Sequence, residues 1–178
     1  IEVTQELIGR SRGAPYLPDI QLRLAELYIE QARYEFYLVH EERGESAKGS
    51  AVAPTARLLK EKAVETYLRI LSDWPKFKDA DKVLFFLGHE YRELGQYEKM
   101  IERYEELVAK HPSSSLVNDA HVVLGDYRFD RQDLAAAKGY YQKILDTPNS
   151  PTHDMARFKL GWVYLNEADY KEAFHQFE

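Results

Sequence analysis

The sequence contains no cysteine, which removes disulfide staples and thiolate metal sites but leaves the compartment open. It also lacks a long hydrophobic run. The longest purely apolar stretch is Val83 to Leu87, far short of the roughly 20 residues a membrane-spanning helix needs. Positive charge is not in excess: the formal net charge is −6, and runs such as Lys60-Glu61-Lys62 mix signs. No concentrated basic face is therefore available for nucleic-acid phosphates. Proline and glycine number only 7 and 9 and sit mostly between predicted helices. No strand is predicted, so no glycine-rich phosphate cradle has a strand to follow.

What remains is a chain of 178 residues, 44% hydrophobic and 30% charged. That composition suits a folded protein rather than a disordered one. The length suits one ordinary domain or one stretch of a repeat array.

The stretch from Asp81 to Pro112 sets the pattern. Leu84, Leu87, Tyr91 and Leu94 recur at spacings of three and four, which places them on one face of a helix. Met100, Tyr104, Leu107 and Val108 do the same on a second helix. Gly88 leaves room for a close helix approach, Gly95 permits the turn, and Pro112 ends the unit. Such a hairpin cannot bury both its faces alone, so copies are expected. Leu124-Gly125 opens a second copy running through Ala137, Tyr141 and Ile144 to Pro148. Leu160-Gly161 opens another, with Tyr164, Tyr170, Ala173 and Phe177. The glycines are 37 and 36 residues apart. Upstream, Leu24-Ala25-Glu26-Leu27-Tyr28 reads as a first helix whose partner comes only at Ala63, Tyr67, Ile70 and Pro75.

Catalytic patterns are missing. His89-Glu90-Tyr91-Arg92-Glu93 begins like a zinc-binding HExxH helix, but Glu93 stands where the second histidine belongs, and the i, i+4 pair is lost. His40, His111, His121, His153 and His175 fall on different elements. No GxSxG nucleophile turn occurs. Glu102, Glu105 and Glu106 read as a solvated helix face rather than a calcium loop. We expect no enzyme activity, no metal and no cofactor.

The order of small, aromatic and proline positions in residues 81–112 resembles the tetratricopeptide repeat, about 34 residues long. The resemblance implies an all-α fold, an α-α superhelix of about four helix-turn-helix units. These are residues 19–75, with an insertion over about 38–56; 81–112; 118–148; and a truncated fourth at 154–178. A short helix and loop occupy 1–18. Arg128 stands where the family has an aromatic, and Ala168 stands at the turn filled by Gly95 in the second unit. The insertion includes the small-residue linker Gly44 to Ala53. It reads either as a taller hairpin or as an arm docking a partner through Phe36, Tyr37 and Val39. Since Ile1 is not an initiator methionine and Glu178 falls in the fourth unit's second helix, a piece of a longer array is expected.

In this family the first helix of each unit lines an inner surface that commonly holds a protein segment. Carried over by spacing, the inward positions are Leu22, Glu26 and Ile29; Phe85, His89 and Arg92; Val122, Asp126 and Phe129; and Phe158, Trp162 and Leu165. We take Glu26, Phe85, His89, Arg92, Val122, Asp126, Phe129, Phe158 and Trp162 as candidate partner-binding residues, although aromatics at helical spacing also serve as core. Family members that clamp acidic chaperone tails carry Lys, Asn or Arg at such positions. Those places here are mostly Leu, Phe, Val and Glu, so that role is not expected.

The stretches LPDIQLRLAELYIEQARYEFY and KAVETYLRILSDWPKFKDADKVLFFLGHEYRELGQYEK are similar to long tetratricopeptide proteins of myxobacterial and related bacterial envelopes, some belonging to gliding-motility machinery. That resemblance implies a scaffold in the periplasm or cell envelope; the residues alone do not exclude a cytoplasmic one. The expected partner is a protein or peptide. The alternative is a glycan or peptidoglycan module, or an auxiliary domain of a larger enzyme. Self-association through an uncapped last helix bearing Phe174 and Phe177 is a further expectation.

Overall fold

The computed structural model describes residues 1–43, 54–147 and 149–178. The described residues are helical with no strand, as the all-α expectation requires. The linker Gly44 to Ala53, the tip of the inserted hairpin, and Pro148 lie outside them. The helices are α1 (Glu2–Arg10), α2 (Leu17–Arg43), α3 (Pro54–Asp73), α4 (Ala80–Glu93), α5 (Tyr97–Lys110), α6 (Val117–Asp130), α7 (Leu134–Leu145), α8 (His153–Asn166) and α9 (Tyr170–Phe177). They fall into two compact units, 1–100 and 101–178.

In the first unit, α2 packs on α3 and α3 on α4, while α1 leans on α2. The apolar stripe of α3, Ala56, Ala63, Tyr67 and Ile70, is buried and meets buried Leu24, Ala25, Tyr28, Ile29 and Ala32 of α2. Each fully buried aliphatic side chain contributes about 1.5–3 kcal/mol relative to exposure. By contrast, α1 buries no residue and is held through the Gln5 amide, which donates to the Tyr28 hydroxyl at 2.7 Å. Lys60 and Glu90 form a buried ion pair at 2.9 Å between α3 and α4.

In the second unit, α6 pairs with α7, α7 with α8, and α8 with α9. Its core gathers Ala137, Tyr141, Leu160 and Val163, with Phe129, Leu134, Leu145 and Tyr164 packed against it. A Cβ on Gly125 would fall 2.5 Å from the Tyr141 ring, and one on Gly161 would fall 2.5 Å from the Phe177 ring. The small residue is thus what lets the second helix of each hairpin lie so close.

The turns repeat as well. At Gly95 (φ 72°), Gln132 (φ 61°) and Ala168 (φ 60°) the backbone is left-handed. Each of these residues donates its N–H to a carbonyl three residues back, at Arg92, Phe129 and Leu165. Each following residue reaches five back, to Tyr91, Arg128 and Tyr164. This is the Schellman ending of a helix. Two of the three sites carry a side chain that the conformation disfavours.

The N-cap residues of α6 and α8, Leu116 and Thr152, make no side-chain cap. Side-chain caps come instead from Asp133, which accepts from Ala136 N–H, and Asp169, which accepts from Glu172 N–H. The Ser114 and Ser150 hydroxyls accept from the N–H two residues on, at Leu116 and Thr152, forming short turns ahead of α6 and α8. A hydroxyl spent two residues ahead is not available to the helix itself.

Candidate functional site

In the first unit, the exposed stripe of α2 faces that of α4 across a groove floored by α3. Glu26, Ile29, Glu30 and Arg33 of α2, with Phe85, Phe86, His89 and Glu90 of α4, line a cleft of about 380 Å³ over Tyr67. A second cleft of about 210 Å³ shares Arg33 and His89 and extends to Phe36, Tyr37, Lys60 and Glu93. The α4 wall and the floor are aromatic. Phe86 stacks on Tyr67 with ring centroids 6.5 Å apart, and Phe85 meets Phe86 edge-on at 6.1 Å. Burial, reinforced by the Glu90 and Glu26 carboxylates, pushes the Tyr67 hydroxyl above its ordinary range, so it is neutral at physiological pH.

The groove's charges are arranged in order. At one end Arg23 Nη1 lies 3.0 Å from Glu26 and 2.9 Å from Glu30. At the floor, burial drives the Glu90 carboxyl up. The His89 hydrogen bond and the Lys60 charge outweigh that and hold it below its usual value. Its stabilising contribution is therefore full above the unfolded-state pKa and is lost as pH falls through the lower folded value.

The second unit treats its corresponding positions differently. The Tyr141 hydroxyl donates to Asp126 Oδ1 at 2.7 Å, and the Lys159 ammonium donates to Oδ2 at 2.9 Å. Asp126 thereby ties α6 to both α7 and α8. One register further, Trp162 and Phe158 meet at 6.2 Å and both touch the Phe177 ring, at 6.0 and 5.8 Å. On α6, beside the Tyr140 ring at 5.9 Å, His121 is buried, with neither ring nitrogen hydrogen-bonded. Burial, and then Lys143, lower its pKa to about 4.

Of the candidate residues, Glu26, Phe85 and His89 come together in the groove of the first unit, with Ile29 beside them. Arg92 is exposed on the last turn of α4, outside that lining. Val122 and Asp126 are half-buried, and Phe129 packs on the core. Phe158 and Trp162 are exposed, with Leu165 nearby on α8. Glu30, Arg33 and Phe86 belong to the groove but were not singled out. Glu30 and Arg33 stand four and seven residues after Glu26, and that helical spacing was the available signal. Among the described residues no group of three His, Asp or Glu side chains is placed to hold a metal ion, and no helix is long and apolar enough to cross a membrane.

Residues 87–154 and 122–178 match the family model described as tetratricopeptide repeat; together they span more than half of the chain. No curated protein matches it. Among solved structures, one titled crystal structure of MamA is similar at TM-score 0.54 and 22% identity, over 67% of this chain and 66% of that one. A second MamA structure gives TM-score 0.55 and 19% identity over 86% and 69%. The C-terminal part of a repeat-containing protein from Cytophaga hutchinsonii gives TM-score 0.57 and 17% identity over 88% and 62%. The chain thus spans just under two thirds of the first MamA chain and of the Cytophaga hutchinsonii chain. At these identities the likeness is one of fold.

Proposed function

The chain belongs to the tetratricopeptide repeat family, and on that premise we propose that it is a non-catalytic scaffold holding a segment of another protein between α2 and α4. One observation carries this reading. Inward positions from two successive hairpins, Glu26 and Ile29 with Phe85 and His89, line a single open cleft whose floor and α4 wall are aromatic. Open apolar clefts with a few placed charges are what an extended or helical segment needs for anchoring. In the second unit, the exposed Phe158 and Trp162 give a further apolar contact. The assembly served is one of the bacterial cell envelope, a reading supported by the similarity of the α2–α4 sequence to long envelope repeat proteins.

Panning a displayed peptide library against the chain tests the binding role. Enriched peptides are expected to lose capture when Phe85→Ala is introduced with the helical circular dichroism unchanged. Enrichment that ignores Phe85 removes the groove from the account. Titration of cell-wall fragments, followed by indole fluorescence in a Trp74→Phe background, addresses Trp162 separately. Saturable quenching there would favour a glycan module instead. Fractionating the cells that make the protein checks the envelope placement.

A further inference from the structure

The groove's charges and rings say more about its occupant. We infer that it selects an extended peptide segment carrying a single lysine or arginine beside an apolar side chain. The inference rests on the scaffold function proposed above.

The two clefts share Arg33 and His89 and run along α2 from Glu26 to Tyr37, about 16 Å at 1.5 Å per helical residue. That length takes about five residues of extended chain. At the Glu26 end, two carboxylates converge on one guanidinium nitrogen, at 3.0 and 2.9 Å. Arg23 supplies that nitrogen from outside the cleft lining, so it serves as an internal stand-in for the ligand's cation. The side chains of Arg23, Glu26 and Glu30 are 52%, 38% and 57% exposed, and pairs this exposed hold weakly. An incoming cation joins or displaces Arg23 at little loss. Two carboxylates against one guanidinium also leave this end negative.

The adjoining Phe85 and Phe86 line the cleft and give the cation's neighbour an apolar surface. Further along, the charges balance. Arg33 stands at the junction of the clefts, and Lys60 is paired with Glu90 at 2.9 Å and lies 3.9 Å from Glu93. A second cation gains no net attraction there, which favours one basic residue at the Glu26 end.

Fluorescence anisotropy on the full chain tests this with labelled nonapeptides of Gly, Ser, Leu and Phe that differ at one position, Arg, Gln or Glu. The Arg peptide is expected to bind about fivefold tighter than the Gln peptide, the factor for roughly 1 kcal/mol. Glu26→Gln with Glu30→Gln should erase that difference and leave the Gln peptide unchanged, while Arg23→Ala should tighten the Arg peptide alone. Equal binding of Arg and Gln peptides, preference for Glu, a difference that survives the double substitution, or no binding by any form overturns the inference. So does affinity that climbs steadily across peptides with one, two and three arginines. The scaffold reading is decided separately, by whether library-selected peptides depend on Phe85.

Discussion

The α6–α7 and α8–α9 hairpins share one register, 36 residues apart, and complete it with opposite chemistry. Leu124 and Leu160, Ala120 and Ala156, Ala137 and Ala173 occupy matching places, and all are buried. Gly125 and Gly161 each receive a ring at the same distance, and Asp133 and Asp169 each cap the second helix. The groove-side residues part company. Asp126 with Tyr141 is a hydrogen-bonded polar pair, whereas Trp162 with Phe177 is an aromatic one. Tyr141 is 1% exposed and Phe177 44%. Lys138 lies over the Tyr164 ring at 4.3 Å, but Phe174, at the same register, is 64% exposed. The frame is therefore set by small residues and leucines, and the side chains mounted on it vary without disturbing it.

The largest effect expected from breaking this comparison comes at the glycines. Gly125→Ala should cost about 2–3 kcal/mol in urea denaturation, because the Tyr141 ring is enclosed and hydrogen-bonded and has nowhere to go. Gly161→Ala should cost under about 1 kcal/mol, since the Phe177 ring can swing outward and alanine is the better helix former. Equal losses would mean that Phe177 is as fixed as Tyr141.

Next comes acid. A buried neutral His121 with a pKa lowered to about 4 favours the folded state fully above the unfolded histidine value near 6.5. That advantage shrinks as pH falls toward 4, by about 2–3 kcal/mol in total. His121→Leu should flatten the stability profile across the window. Tyr141→Phe gives the α6–α7 hairpin the phenylalanine of its neighbour and should cost about 1.5–3 kcal/mol, the range for a hydrogen bond to a charged group. The smallest effect is at the turns. Gln132→Gly and Ala168→Gly should each raise stability by about 0.5 kcal/mol by relieving left-handed backbone, and thermal melts that fall instead would refute this.

Much of the fold was legible because its signals are local. Helical spacing located α4 through α9, and Ala63, Tyr67 and Ile70 marked the buried face of α3. The left-handed turn announced itself only at Gly95. Gln132 and Ala168 adopt it because the Schellman hydrogen bonds on either side hold them there, an effect of geometry that residue type conceals. Spacing likewise picks the groove-side face of a helix without telling which residues a neighbour then covers. Glu26, Phe85 and His89 remain in an open cleft. Asp126, read from the same register, is occupied by Tyr141 and Lys159, and those partners come from helices 15 and 33 residues away. Phe129 lies against the core because Leu134 and Tyr164 close over the same region.

The Lys60–Glu90 contact has a mechanical consequence for the groove above it. Apolar helix faces are forgiving of a slide by one turn, since one methyl replaces another. A charged pair shut away from water is not, because any displacement strands both ions. The tie therefore works as an indexing pin between α3 and α4, keeping the ridge that bears Phe85 and His89 opposite the ridge that bears Glu26 and Glu30. Whatever lies in the channel meets walls whose spacing was settled before it arrived.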